Sequence, residues 1–174
     1  MNAALVTLPT GIVIRPARTA DVRGIRLLID TYAVERRLLS KATVELYEHV
    51  QEFIVAELAG EVIGCGALHV MWEDLGEVRT MAVSSGHRHS GVGGILLELL
   101  IDRARELGLN RVFCLTFETD FFARHGFEAI EEAPVTHGVY EAMLESRDEG
   151  VAEMLGLERV KPNTLGNTRM LRFI

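Results

Sequence analysis

The stretch Arg88-His89-Ser90-Gly91-Val92-Gly93 lies between the apolar segment 81–83 and an amphipathic segment that begins near Gly94. A loop that turns a strand into a helix points several backbone N–H groups at one spot beside the positive end of the helix dipole. Glycines at positions 91 and 93 remove Cβ atoms that would keep a pyrophosphate away from the backbone, and Arg88 adds a positive charge. The pattern predicts a phosphate-binding loop; the alternative is an ordinary helix start.

Two better-known phosphate loops do not fit these letters. The dinucleotide fingerprint G-x-G-x-x-G needs a glycine where the chain has Leu96. The Walker loop needs Gly-Lys-Ser/Thr, and no lysine occurs between Lys41 and Lys161.

The letters of the loop fit the motif R-x-x-G-x-G, and on this motif the chain resembles the GNAT (Gcn5-related N-acetyltransferase) family. The resemblance implies acetyl-CoA as co-substrate, with its pyrophosphate held by Arg88, His89, Ser90, Gly91, Val92, Gly93 and Gly94.

Length and composition fit one globular domain. With 174 residues, 48% of them hydrophobic, the chain can bury a substantial core. We therefore expect a single domain over 1–174, with an N-terminal extension over 1–11 and a variable C-terminal segment over 131–167. A net charge of −7 and scattered basic residues argue against a nucleic-acid partner.

Cysteine usage and hydropathy indicate the compartment. The two cysteines, Cys65 and Cys114, lie inside apolar runs and are typical of small core residues in a reducing environment. The sequence has no signal-peptide pattern and no run approaching the ~18 apolar residues of a membrane helix. We expect a cytoplasmic protein with no membrane partner.

Hydrophobic patterning predicts an α/β fold. It predicts strands at 12–15, 53–58, 62–71, 76–83, 111–116, 127–130 and 168–173. Amphipathic spacing predicts helices capped by Thr19 and Thr43, a helix over 94–107 and a short helix over 119–125, while 138–155 is helix-permissive. Ala59-Gly60 predicts an antiparallel hairpin. This order, which is also the GNAT order, predicts a mixed, mostly antiparallel sheet with helices on both faces.

Further motifs narrow the resemblance. Over about residues 12–130 the chain is most similar to the acetyltransferase domain of N-acetylglutamate synthases. The matching stretches are Ile14-Arg15, 63–68, Gly76-Glu77, 105–109, 112–116 and 122–127. Many GNAT members have a tyrosine at the position of Phe122 that protonates the departing CoA thiolate, and the synthases share the change to phenylalanine. Phe122 is therefore expected at the cofactor site, or simply packed in the core, and the proton donor stays unassigned.

The resemblance also implies the reaction: acetyl transfer from acetyl-CoA to the α-amine of L-glutamate or L-glutamine, the first step of arginine biosynthesis. Since only about eleven residues precede the first strand, we expect a stand-alone form without the amino-acid-kinase domain of the long synthases.

The α-ammonium of the acceptor must lose a proton before its nitrogen can attack the thioester, so the site needs a base. The resemblance implies that this base is Glu77. Without the resemblance, Glu77 would be interpreted as an exposed carboxylate at the end of a strand. The pantetheine arm is expected along the main chain of Met81, Ala82 and Val83.

The acceptor's carboxylates call for positive or hydrogen-bonding groups. Resemblance and strand alternation indicate five substrate-binding candidates, namely Leu39, Lys41, Arg79, Thr116 and Thr168. The synthases hold the substrate with an Arg-x-Ser pair, and here the letters are Gly166-Asn167-Thr168, so the arginine is missing. Lys161 or Arg169 is expected to supply that charge, and glutamine joins glutamate as a candidate acceptor.

Three further expectations complete the prediction. No pair of histidines has metal-ligand spacing, so no metal is assigned. The apolar segment 170–174 is a candidate for pairing in a homodimer. The alternatives to a glutamate acetyltransferase are a GNAT enzyme for another amine acceptor and a CoA-binding sensor that has lost catalysis.

Overall fold

A mixed sheet forms the centre of the computed structural model, which describes residues 5–34, 41–157 and 166–174. Within these ranges the strands are β1 (Val6–Thr7), β2 (Val13–Pro16), β3 (Phe53–Leu58), β4 (Glu61–Trp72), β5 (Leu75–Val83), β6 (Arg111–Thr116), β7 (Glu128–Ala129) and β8 (Thr168–Phe173). Their order in the sheet is β1-β2-β3-β4-β5-β6-β8-β7. Strands β1 to β5 pair antiparallel in sequence order, and the predicted hairpin at Ala59-Gly60 joins β3 to β4.

The helices are α1 (Val22–Val34), α2 (Thr43–Glu48), α3 (Val92–Glu106), α4 (Thr119–Arg124), α5 (His137–Met143) and α6 (Glu149–Leu155). Helix α3 packs on one face of the sheet through Leu96, Leu97 and Leu100, and α1 packs on the other through Ile25 and Ile29. Both stripes follow the 3.6-residue period and are fully buried. The prediction of helices on both faces is confirmed. In the described ranges no helix is long and apolar enough to cross a membrane.

The crossover from β5 through α3 to β6 makes the parallel pair of the sheet. Its register joins Leu75 to Arg111 and ends where Glu77 meets Phe113. Beyond that point β5 continues to Val83 along β4 alone, so β5 and β6 diverge. The divergence exposes the main chain of residues 78–83 on its β6 side.

A β-bulge in β5 changes which face its side chains occupy. Cys65 opposes Ala82 whereas Ala67 opposes Arg79, so two residues of β5 lie across from Gly66. Thr80, at φ 56°, is in this bulge. As a result Glu77 and Arg79 lie on one face of the sheet while Met81 and Val83 pack on the α3 side.

Several predicted details are wrong at helix starts. Thr43 is the first residue of α2, and the cap position belongs to Ala42, whose N–H is accepted by Glu45 at 3.2 Å. Thr19 likewise lies inside a 3-10 turn, where Asp21 accepts the N–H of Arg18 at 2.6 Å. A downstream carboxylate satisfies the free N–H groups in both cases, so the threonine hydroxyls are not needed as caps.

Three other expectations need correction. The N-terminal extension over 1–11 contains β1, which pairs with β2 and is too short for a hydrophobic pattern to reveal. The segment 138–155 forms two helices, α5 and α6, separated by residues 144–148. Strand β8 lies between β6 and β7, so the backbone of Met170 and Leu171 is already paired on both sides. The predicted dimer strand is therefore not a sheet edge at these residues.

Candidate active site

An open cleft occupies the place where β5 and β6 diverge. Its volume is about 1080 Å³. Its walls are the end of β5, the loop before α3, the first turns of α3, the end of β6 and helix α4. The predicted cofactor residues that line it are Met81, Ala82, Val83, Arg88, His89, Gly91, Gly93, Gly94 and Phe122. One cleft thus brings together residues that the sequence placed in three separate motifs.

The loop has the geometry that anion binding needs. His89 and Gly91 both adopt left-handed φ angles, of 63° and 84°, and α3 begins immediately afterwards at Val92. The first-turn N–H groups of a helix have no intrahelical acceptors, so those of residues 92–94 are available to a ligand. A Cβ added at Gly91 would meet no atom within 4 Å, so the space above it is open. These features fit the diphosphate of CoA, and the loop assignment remains a prediction.

Tyr32 on α1 supports the loop and was missed as a site residue. Its hydroxyl donates to the carbonyl of Val83 and accepts a hydrogen bond from Arg88 Nε at 3.2 Å. The Arg88 guanidinium lies 5.2 Å from the centroid of the same ring, within cation–π range. A buried tyrosine on an apolar helix stripe needs a partner for its hydroxyl, and this requirement was the available sequence signal.

Phe122 packs in the core at the edge of the cleft. Its ring makes T-shaped contacts with Phe121 and Phe127, each at 5.2 Å between centroids. The side chain is buried in the apolar cluster under α3. Phe122 therefore shapes the cleft wall and carries no proton for a thiolate.

Glu77 lies deep beside the cleft rather than at its surface. Its side chain is buried, and its Oε2 is 2.7 Å from Arg79 Nη2. Burial raises the pKa of Glu77 above the ordinary glutamate range, although the Arg79 charge opposes the shift. The interpretation as an exposed strand-end carboxylate is therefore wrong.

Arg79 is also engaged by Asp148, at the start of α6. Two nitrogens of the guanidinium donate to the two Asp148 oxygens at 2.8 and 2.9 Å. Burial opposes ionisation of Asp148, but the Arg79 hydrogen bonds hold its pKa well below the usual range. Arg79 was expected to bind a substrate carboxylate directly; in this structure Asp148 occupies that bidentate face.

Helix α6 covers the Glu77–Arg79 pair. Gly150 approaches so closely that an added Cβ would lie 2.5 Å from Glu77 Oε2. Asp148 also caps α6 by accepting the N–H of Val151 at 3.0 Å. Glu153, one turn after Gly150, is buried, and burial together with the Glu77 charge raises its pKa to about 8. No sequence pattern pointed to Asp148, Gly150 or Glu153, because they come from the segment 131–167.

Unpaired polar atoms concentrate around the same pair. Five buried side-chain atoms have no hydrogen-bond partner within residues 5–34, 41–157 and 166–174, namely Glu77 Oε2, Arg79 Nε, Glu153 Oε1, Asn167 Oδ1 and Arg169 Nε. Buried polar atoms without partners are rare in native proteins and demand a ligand, water or further chain. Arg169 Nη2 donates to the carbonyl of Glu153 at 3.0 Å, which ties the start of β8 to α6.

The other residues that were predicted to bind the acceptor lie in different places. Burial raises the pKa of both Glu77 and Glu153, and the positive charge of Lys41 is near enough to oppose part of this shift. Thr116 and Thr168 are cross-strand partners at the start of β8, and Thr116 lines the cleft. Leu39, and Lys161 as the alternative cation, lie outside the described residues. Ser90 and Val92 belong to the loop, but their side chains are not among those that line the cleft.

The model of the acetyltransferase (GNAT) family matches residues 24–128, which include β5, the loop and α3. The chain belongs to the GNAT acetyltransferase family. This GNAT chain is 57% identical over 162 residues to a protein of Mycobacterium tuberculosis named amino-acid acetyltransferase, covering 91% of this chain and 92% of that protein. It is 36% identical over 121 residues to an amino-acid acetyltransferase of Neisseria meningitidis, covering 68% of this chain and 28% of that protein.

Solved GNAT structures show the same architecture. A Mycobacterium tuberculosis protein in complex with CoA and NLQ superposes with a TM-score of 0.89 at 56% identity, covering 93% of this chain and 99% of that chain. An N-acetylglutamate synthase of Neisseria gonorrhoeae, complexed with coenzyme A and N-acetyl-glutamate, superposes with a TM-score of 0.73 at 27% identity. That match covers 93% of this chain and 35% of the synthase. The predicted family and fold are confirmed.

Proposed function

We propose that this GNAT acetyltransferase transfers the acetyl group of acetyl-CoA to the α-amine of L-glutamate or L-glutamine, as the first step of arginine biosynthesis in the cytoplasm. The observation that carries the proposal is the buried Glu77 carboxylate beside a cleft with a diphosphate loop. The name and ligands of the relatives support it, since they are amino-acid acetyltransferases and bind coenzyme A.

The cofactor would be held mainly by main-chain atoms of the cleft. The N–H groups of residues 91–94 would hold the diphosphate, with Arg88 fixed by Tyr32 as a neighbouring cation. The pantetheine arm would lie along residues 81–83, where β5 has lost its β6 neighbour and its backbone can pair with an added extended chain. In this arrangement the thioester would lie near the start of the divergence, close to Glu77.

Glu77 would act as the general base. In the reaction the ammonium first loses one proton to Glu77, directly or through water. The neutral nitrogen then forms a bond to the acetyl carbon, the C–S bond breaks, and CoA leaves as its thiol after its thiolate takes up the second proton of the amine. Burial favours this role, because it raises the pKa of Glu77 toward the pH at which a base works best. A β5 N–H freed by the divergence can stabilise the oxyanion of the tetrahedral intermediate.

The acceptor would bind between β5, α6 and the start of β8. The unpaired nitrogens Arg79 Nε and Arg169 Nε, together with Lys41, provide donors and positive charge for carboxylates. The unpaired oxygens of Asn167 and Glu153 provide acceptors for an ammonium or an amide. A site with both kinds of group suits an amino acid better than a polyamine, which would require an acidic pocket.

Thiol release from acetyl-CoA by the purified protein tests this function. Glutamate, glutamine, aspartate, arginine, a polyamine and a short peptide would each be offered as acceptor. We expect turnover with glutamate or glutamine and little with the polyamine or peptide. Turnover only with another amine would assign a different acceptor, and tight acetyl-CoA binding with no turnover would favour the non-catalytic sensor.

A further inference from the structure

Two histidines and a glutamate converge on one point on the same face of the sheet as Glu77 and Arg79. His49 follows α2, Glu52 ends the next 3-10 turn, and His69 lies on β4. His69 Nδ1 is 2.7 Å from Glu52 Oε1, and His49 Nδ1 is 3.2 Å from the same oxygen. One ligand atom from each residue lies within 4.8 Å of the others. Spacing in the sequence does not reveal this set, because β3 separates His69 from the other two residues.

The donor set has the chemistry of a transition-metal site. Two imidazole nitrogens and a carboxylate are a common three-ligand set for Zn²⁺, which leaves a fourth position for water. At Zn–N and Zn–O distances of about 2.0–2.2 Å, tetrahedral donors lie roughly 3.4 Å apart, so small side-chain rotations would accommodate the ion. The His49 side chain is 44% exposed, which gives the ion a route from solvent.

The second nitrogen of His69 lies near a carboxylate, at ion-pair rather than hydrogen-bond distance. His69 Nε2 lies 3.8 Å from Asp148 Oδ2, so the ring is directed between Glu52 and a second carboxylate. A carboxylate behind a ligating imidazole orients the ring and raises its basicity.

We propose that His49, Glu52 and His69 form a binding site for a divalent transition-metal ion of the zinc type. The ion would not take part in acetyl transfer. It would fix the side chain of His69. This residue of β4 is the cross-strand partner of Glu77 on β5, and it faces Asp148, the cap of α6. Occupancy would therefore stabilise the contact between the sheet and the helix that covers the candidate base.

Zinc binding by the intact protein, freed of metal by a chelator and then dialysed, tests the proposal. The probe is Zn²⁺ alone, measured by competition with a chromophoric chelator and by thermal unfolding. We expect one zinc ion per chain at micromolar concentrations and a higher Tm when zinc is present. His49→Ala and His69→Ala should each weaken binding at least tenfold.

His137→Ala is the matched control. His137 Nε2 lies 3.2 Å from Glu141 on an exposed helix turn, so this pair is a two-residue His–carboxylate contact like half of the proposed site. The control variant should bind zinc as the wild type does. No stoichiometric binding, or equal loss in His137→Ala and His49→Ala, would overturn the proposal and leave the cluster as an ion-pair network. Neither outcome bears on acetyl transfer, which thiol release measures separately.

Discussion

The two ends of the active site are built on different principles. At the cofactor end, the loop and the divergent part of β5 offer mainly backbone groups around an open cleft. At the acceptor end, the ionisable side chains of Glu77, Arg79, Asp148 and Glu153 lie where β5 meets α6. A diphosphate can be held by N–H groups that any sequence possesses, provided glycine leaves room for it. An amino acid must be distinguished by side chains, and these come from several elements far apart in the chain.

Glu77→Gln gives the sharpest separation of the two ends. We expect kcat to fall by roughly 10²-fold or more, the scale of losing a general base, with the Kd for acetyl-CoA nearly unchanged. Wild-type activity should rise with pH as the raised pKa of Glu77 is passed, and this limb should vanish in the variant. Steady-state kinetics across pH and calorimetry measure both. Glu61→Gln, an exposed strand glutamate, is the control. Unchanged turnover in Glu77→Gln would remove Glu77 from the mechanism.

Gly91→Val tests the cofactor end. A valine at φ 84° costs about 1–3 kcal/mol of backbone strain, and its side chain projects into the space assigned to the diphosphate. We expect acetyl-CoA affinity to fall at least tenfold in calorimetry. Gly60→Val carries the same strain at φ 87° in the β3–β4 turn, where an added Cβ also meets nothing within 4 Å. If both variants bind acetyl-CoA equally well, the loop assignment is wrong.

Asp148→Asn weakens the acceptor end while sparing the cofactor end. The change removes a charge-assisted pair with Arg79 that contributes about 1.5–3 kcal/mol when well formed. Since about 1.4 kcal/mol corresponds to a tenfold change in an equilibrium constant, we expect the KM for the acceptor to rise roughly tenfold. The affinity for acetyl-CoA should stay within twofold of the wild-type value. Asp74→Asn, which breaks a similar pair with Arg111, should leave the acceptor KM unchanged. A rise in acetyl-CoA Kd instead would show that the two ends are not separable.

Glu153→Gln should change the pH dependence of stability. The folded pKa of about 8 lies above the ordinary glutamate value of 4.5, so between these values the folded state binds the extra proton. The free energy of unfolding should therefore fall as the pH rises from 5 to 8, by at most about 1.4 kcal/mol per pH unit. Denaturant unfolding should show a flatter profile in the variant. The exposed Glu145→Gln serves as control, and an identical slope in all three proteins would contradict the burial argument.

The difference between the cofactor end and the acceptor end also explains which sequence-based predictions succeeded. The hairpin at Ala59-Gly60, the stripe of α3 and the crossover to β6 follow from turn chemistry and hydrophobic period, which are local in sequence. The loop was found for the same reason, since its glycines and Arg88 are contiguous. Tyr32 was missed as a partner of Arg88 because 56 residues separate them.

At the acceptor end the sequence alone indicated Glu77, Lys41 and the threonines through resemblance, but not their surroundings. It could not show that a bulge at Thr80 turns Glu77 and Arg79 away from Met81, nor that α6 folds over them. The amino-acid sequence by itself determined the order of most elements and the family, and it predicted the diphosphate loop, because each depends on neighbours within a few residues. Only the tertiary structure decided the burial of Glu77, the Arg79–Asp148 pair and the convergence of His49, Glu52 and His69. The physical reason is that pKa values and ion pairs depend on distances between segments that the chain brings together only when it folds.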